Sequence, residues 1–172
     1  QPAREWVPSI AEIWEQVETA VESRVDLPSG GSLLFEPGET LTAIDVDTGR
    51  HTGAAYGRVS AEATLLQANL EAAAEIAHQL RLRNLGGIIV VDFVDLKLAA
   101  SRRRVVGALK SAVKDDPMRC WVGAMSPLGL VEMTRRRRGK PLLNMLTARC
   151  QSCTGTGRVR RSRIGEAKAG EA

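Results

Sequence analysis

The sequence predicts an α/β fold, a mixed sheet with flanking helices that gives way to a basic C-terminal tail, and three observations carry that prediction. Segments with apolar residues at helical spacing alternate with short β-branched runs, Gly- and Pro-rich turns separate them, and the composition is that of a globular protein. With 44% hydrophobic and 26% charged side chains, 172 residues suffice for one domain plus a tail.

The elements follow in order. Ser9 and Glu12 form a capping box, and Ile10, Ile13, Trp14, Val17 and Val21 recur at helical spacing, which predicts a helix running to about Val25. Leu27-Pro-Ser-Gly-Gly breaks it. Ser32 to Phe35 and Thr40 to Val46 then read as a hairpin around Glu36-Pro-Gly-Glu. Thr48 to Val59 has no apolar period and reads as a loop long enough to serve a function. Ser60 opens a long helix whose Leu65, Leu66, Leu70, Ala73, Ile76, Ala77 and Leu80 share a face, ending near Leu82. Ile88 to Phe93, a continuous apolar run, reads as a central strand buried on both faces. A helix with Val105, Val106, Leu109 and Val113 inward spans about Ala99 to Val113, and Trp121 to Met125 and Leu128 to Met133 read as two strands around Ser126-Pro127. Ser162 to Ala172 is expected to be disordered.

Charge is unevenly spread. The net +4 combines 13 Lys and Arg against 18 Asp and Glu through Thr134 with 11 against 2 from Arg135 onward. A basic extension on an acidic body suits a polyanionic partner, most simply nucleic acid, although a solvated tail would look the same. No run of about 18 apolar residues is present, which excludes a membrane-spanning helix from the prediction. Three cysteines, two of them adjacent in Cys150-Gln-Ser-Cys153, suggest free thiols and a cytoplasmic setting rather than a disulfide framework. Because the chain starts at Gln1 rather than Met, further segments upstream are expected.

Asp45 and Asp92 each end an apolar strand, with Asp47 and Asp95 close behind. An ionised carboxylate at the C-terminal edge of a buried strand needs a cation or donors, and such edges hold the ligands of open α/β sheets. Hard oxygen ligands there suit Mg²⁺ or Mn²⁺; strand caps or arginine pairs are the simpler alternative. Neither His51 nor His78 lies in a recognisable nucleophile elbow. Cys150 and Cys153, followed by Thr-Gly-Thr-Gly, supply half of a tetrahedral zinc shell, which a second copy of the chain could complete; a metal-free CxxC is the alternative.

Six blocks in sequence resemble the catalytic half of the ribonuclease E/G family: Leu27-Pro-Ser-Gly-Gly, Leu41-Thr-Ala-Ile-Asp-Val-Asp, Asn69-Leu-Glu-Ala-Ala-Ala-Glu-Ile-Ala, Gln79-Leu-Arg-Leu-Arg-Asn-Leu-Gly-Gly, Val90-Val-Asp-Phe-Val-Asp and Gly129-Leu-Val-Glu-Met-Thr-Arg. The resemblance runs from about Leu27 to Gly157. It implies a lead-in helix (1–26), a DNase I-like catalytic subdomain (27–140), a zinc-link (141–161) and a tail (162–172). It also implies a cytoplasmic endoribonuclease that cuts single-stranded RNA to 5′-phosphate and 3′-hydroxyl ends. Asp45 and Asp92 would bind the catalytic Mg²⁺, Asp47 would stand at the position that orients Asp45, and Cys150 and Cys153 would share one structural Zn²⁺ between the chains of a homodimer or higher oligomer.

The sequence departs from the family pattern in three places. Asp47 stands where the family has Asn, Gln151 replaces the Pro of the zinc-link, and the loop after Asp47 is longer by a few residues. The family's S1 RNA-binding domain and 5′-monophosphate sensor have no counterpart in these residues, which leaves a second reading, a weakly active or inactive zinc-linked RNA-binding module. RNA capture would then fall to Arg81, Arg83, Arg102, Arg103, Arg104, Arg135, Arg136, Arg137 and Arg138. With 3% aromatic residues, binding is expected to rest on phosphates rather than on base stacking.

Overall fold

A computed structural model describes residues 9–49 and 58–158. Its elements are α1 (Ile10–Thr19), β1 (Arg24–Asp26), β2 (Ser32–Pro37), β3 (Leu41–Asp47), α2 (Arg58–Leu82), β4 (Gly87–Asp92), α3 (Ala99–Ala112), β5 (Cys120–Met125), β6 (Leu130–Arg135) and α4 (Leu142–Leu146). The predicted α/β class is what forms. One six-stranded mixed sheet has the order β1-β2-β3-β4-β6-β5. Only β3 and β4 are parallel; every other neighbouring pair is antiparallel. The expected disordered tail (162–172) and His51 lie outside the described residues, as does most of the loop before α2.

The predicted capping box is present: the Glu12 N–H donates to Ser9 Oγ at 3.3 Å and the Ser9 N–H to Glu12 Oε2 at 2.6 Å. The helix stops at Thr19 rather than near Val25, because Arg24–Asp26 pairs antiparallel with Ser32–Leu34. Leu27-Pro-Ser-Gly-Gly is thus a hairpin turn as well as a helix break, closed by bonds from the Leu27 N–H to the Gly31 carbonyl and the Gly30 N–H to the Leu27 carbonyl. Ladder pairing across a tight turn wins over helical spacing once α1 has nothing to pack on: none of its residues is buried, and Ile10 and Trp14 are largely exposed.

Helices α2 and α3 pack together on one face of the sheet. Ala72, Ala73, Ile76, Ala77 and Leu80 of α2 and Val105, Val106 and Leu109 of α3 meet Leu33, Phe35, Ile44, Val46, Ile89, Val91, Val131 and Met133 in a single core. Small residues at α2 positions 72, 73 and 77 let its backbone approach the strands. Among the described residues, no helix covers the opposite sheet face. β4 is therefore buried on one face, not two: Ile89 and Val91 are fully buried while Ile88 is 53% exposed. An apolar run gives no periodicity from which to tell these cases apart.

Two arginines, Arg83 and Arg135, belong to this interior. Arg135, 3% exposed, makes a bidentate pair with the fully buried Asp116 (2.9 and 3.0 Å) and also donates to the Leu85 carbonyl at 2.8 Å. Burial alone would raise the Asp116 carboxyl, but hydrogen bonds from Arg135 and from the Met118 N–H hold it below its ordinary value of 3.8. The stabilisation is thus present above the unfolded-state value and is lost as pH falls through the lowered folded value. Asp116→Asn is expected to cost about 3–5 kcal/mol in urea unfolding at pH 7, because it strands a buried guanidinium. That cost should shrink toward pH 3; a pH-independent cost below about 1 kcal/mol would show the pair to be dispensable.

Candidate active site on the open sheet face

Parallel pairing of β3 with β4 sets Asp45 directly beside Asp92. Strand alternation turns both carboxylates away from the helices, onto the open face. There they line a groove of about 400 Å³ with Leu34, Glu36, Ala43, Val90 and Leu130. Burial pushes the Asp45 carboxyl up, and the charges of Asp92, Asp47 and Glu36 push it further; the Val46 N–H opposes, and no cation is among the causes. Among the described residues, no ion pair involves these mutually repelling acids. Glu36 was not singled out from the sequence; in the sheet it stands two residues from Leu34, the register partner of Asp45, on the same strand face.

The segment after Asp92 is fastened at several points. Asn69, fully buried on α2, donates to the Val94 carbonyl at 2.8 Å and accepts from the Val94 N–H at 3.0 Å. Glu62 accepts from the N–H groups of Lys97 and Leu98, closing the start of α3. Gly129, with φ of +85°, brings the β5–β6 turn close: a Cβ there would stand 3.1 Å from the Phe93 carbonyl oxygen, 3.3 Å from Asp95 Oδ1 and 4.0 Å from Asp92 Oδ1. Only glycine suits both that conformation and that space. Asn69 and Glu62 are positioning residues that sequence reading did not single out, since a helical Asn or Glu carries no mark of a distant backbone partner.

Asp47 shares the strand face of Asp45, but its Oδ1 accepts from the Gly49 N–H at 2.8 Å and shapes the turn that leaves β3. It adds negative charge to Asp45 while its own carboxylate is engaged locally. His78 pairs with Glu75 on α2, in the helical layer away from these acids.

The arginines divide. Arg83 is buried: it donates to Gln79 Oε1 and the Glu22 carbonyl and stacks 4.6 Å over the Phe35 ring. With Arg135 committed to Asp116, these two of the expected RNA contacts are structural and unavailable to a phosphate. Arg103 and Arg104 are exposed on α3 in the helical layer, and Arg102 is half-buried and donates to the Leu96 carbonyl. Arg81 donates to the Ala112 carbonyl at 3.4 Å. Arg136, Arg137 and Arg138 line a basic recess with Arg119, which the sequence reading missed, at the end of the sheet where β4 begins. Arg137 lies over Gly86 and Gly87, its Nε donating to the Gly86 carbonyl. The length of β4 separates this recess from Asp92 by about 17 Å.

Beyond α4, Cys150 is exposed and Cys153 half-buried. Hydrogen bonds from the backbone N–H groups of Cys153 and Ser152 hold the Cys150 thiol below its ordinary value, and Thr154, Gly155 and Gly157 turn the chain through positive φ. Among the described residues, no three His, Cys, Asp or Glu side chains gather as a metal site. Nor is any described helix long and apolar enough to cross a membrane.

The family model of the Ribonuclease E/G family matches residues 3–138, which hold both strand-end aspartates and the Asn69 clamp. The chain belongs to the ribonuclease E/G family. It is 44% identical to ribonuclease G of Haemophilus influenzae over 144 residues, 84% of this chain and 28% of that protein. It is 40% identical to ribonuclease G of Escherichia coli over 149 residues (87% and 30%) and 43% identical to ribonuclease E of a Nostoc species over 141 (82% and 20%). The chain thus spans less than a third of the length of these ribonuclease E/G relatives. Cys150 and Cys153 lie outside the stretch the family model matches.

A stability signature follows from the crowded acids. Because the folded state raises the Asp45 pKa, its ionisation opposes folding, and stability is lost as pH rises from 3.8 through the raised value. In chelator, Asp45→Asn is expected to raise the melting temperature at pH 7 and to leave it nearly unchanged at pH 3. A lower melting temperature at pH 7 would mean that the ionised carboxylate has a stabilising partner.

Proposed function

We propose that this chain is the carboxylate-bearing part of an Mg²⁺-dependent endoribonuclease that cleaves single-stranded RNA to 5′-phosphate and 3′-hydroxyl ends. The observation that carries this reading is the registered pair Asp45 and Asp92, crowded by Asp47 and Glu36 on the sheet face turned away from α2 and α3. Two carboxylates above an open groove fit Mg²⁺, which keeps several waters and is held by one or two carboxylates together with substrate phosphate. Asp45 and Asp92 would hold the ion, and Asp47 would tune Asp45 through its charge. When bound, Mg²⁺ activates water and neutralises charge on the scissile phosphate.

The chain's own residues do the rest. Asn69 and Glu62 keep the backbone after Asp92 in one place, so that its carboxylate does not need to reorganise as charge develops. Arg136, Arg137 and Arg138, with Arg119, would hold phosphates at the far end of the open face. The separation of about 17 Å requires that one strand span several nucleotides between anchor and scission point. In the net reaction, a water oxygen bonds to phosphorus and the 3′ oxygen leaves with a proton.

Cys150 and Cys153 would share one structural Zn²⁺ with the same pair of a second chain, since two thiolates are half of a closed tetrahedral shell and the Cys150 environment favours thiolate.

Two measurements test these readings. Asp45→Asn and Asp92→Asn should each lower Mg²⁺-dependent cleavage of a short A/U-rich RNA at least about 100-fold, as expected on losing a charge-neutralising group, with circular dichroism unchanged. Cleavage that persists in both variants contradicts the metal assignment, and a wild-type chain that binds RNA without cutting it supports the RNA-binding-module reading instead. Native mass spectrometry should show a dimer with one zinc that becomes monomeric on chelation or with Cys150→Ser. A monomer carrying its own zinc contradicts the shared site.

A further inference from the structure

Among the described sheet residues, Trp121 is the one exposed aromatic. It sits on β5 opposite Thr134, on the same open face as Asp92, and is 60% exposed. Its six-membered ring rests against Gly123, in the irregular stretch of β5: a Cβ at Gly123 would stand 3.3 Å from Cη2 and 3.6 Å from Cζ3. The glycine leaves the indole room to lie along the strand while the remainder of the ring meets solvent.

The surroundings are cationic. Trp121 lines a groove of about 490 Å³ with Lys110, Lys114 and Arg119, and Arg136 adjoins Arg119 through a 2.9 Å backbone hydrogen bond. Of the acids nearby, Asp116 is neutralised by Arg135, while Glu132, two residues from Thr134, is exposed on the open face beside Gly123. An exposed aromatic flanked on one side, at the sheet edge, by Lys110, Lys114 and Arg119 fits the pattern by which proteins hold single-stranded nucleic acid, the cations taking phosphates and the ring taking a base.

We propose that Trp121 is a stacking platform for one nucleobase of the RNA strand whose scissile phosphate lies at Asp45 and Asp92. This rests on the nuclease reading for its choice of strand. Gly123 is near Glu132, which pairs with Val90, two residues before Asp92. Trp121 itself is two strands across and four residues along from Asp92, about 16 Å by ordinary strand spacings, and the ring end over Gly123 comes nearer, to about 12 Å. A base a few nucleotides from the scissile phosphate can reach it. Such a platform would add stacking of one base to the mainly phosphate-driven binding expected from the 3% aromatic content.

Binding of a ten-nucleotide A/U-rich RNA, measured by anisotropy in an Asp92→Asn background that prevents cleavage, tests the proposal. Trp121→Ala should weaken binding at least about fivefold with the salt dependence unchanged, and Trp121→Phe should restore most of the loss. An abasic nucleotide walked along the strand should cost a similar factor at one position with Trp121 present and nothing there with Ala. Binding by Trp121→Ala within about twofold of its parent, a loss that Phe does not rescue, or an abasic effect that survives in the Ala variant would each overturn the proposal. Binding with this pattern by a wild-type chain that fails to cleave would sink the nuclease reading and leave the platform standing. Cleavage with no Trp121 dependence of binding would do the reverse, and a chain that binds no RNA overturns both.

Discussion

The parallel pairing of β3 and β4 is the constraint on which the rest of the molecule depends. Parallel neighbours need a crossover, and α2 provides it. Having crossed, α2 packs with α3 on one face, so the other is left open, and the two strands end side by side with a carboxylate on each. A one-residue slip of either strand would send its aspartate into the core and its apolar residues to solvent. Burial of Ile44, Val46, Ile89 and Val91 therefore fixes the carboxylate geometry as firmly as it fixes the fold.

Around that pairing the molecule separates charges that hold structure from charges that face solvent. Arg135 and Asp116 neutralise each other in the interior, and Arg83 spends its guanidinium on Gln79, a carbonyl and the Phe35 ring. Among the described residues the acids at the ends of β3 and β4 have no such ion-pair partners, and the cations of the Arg119 recess lie a strand length away. A surface with unneutralised acids at one end and unneutralised arginines at the other is suited to a ligand that brings both a cation and phosphates.

Much of this is legible in the sequence. The capping box, the β2–β3 hairpin, the long helix and the strand-end aspartates all follow from local pattern, and six family blocks lie in the expected order. What local pattern misses is tertiary. β1 is hidden inside helical spacing because its partner lies across a turn, and the exposed side of β4 is hidden because an apolar run has no period. The nine arginines expected to contact RNA look alike in sequence, and only the distant partners Phe35, Glu22 and Asp116 distinguish the buried Arg83 and Arg135 from the rest. Asn69 and Glu62 are unremarkable helical residues until their backbone partners on the far side of β4 are seen.

The central claim is that Asp45 and Asp92 form one cation site, and Mn²⁺ used as a paramagnetic substitute for Mg²⁺ tests it most directly. In amide NMR spectra, substoichiometric Mn²⁺ should broaden first the resonances of Asp45, Val46, Asp92, Phe93 and Gly129 and spare those around Asp116. Asp92→Asn should abolish the effect at both strands together. Broadening that spares the ends of β3 and β4, or that persists at Asp45 in Asp92→Asn, would contradict the account.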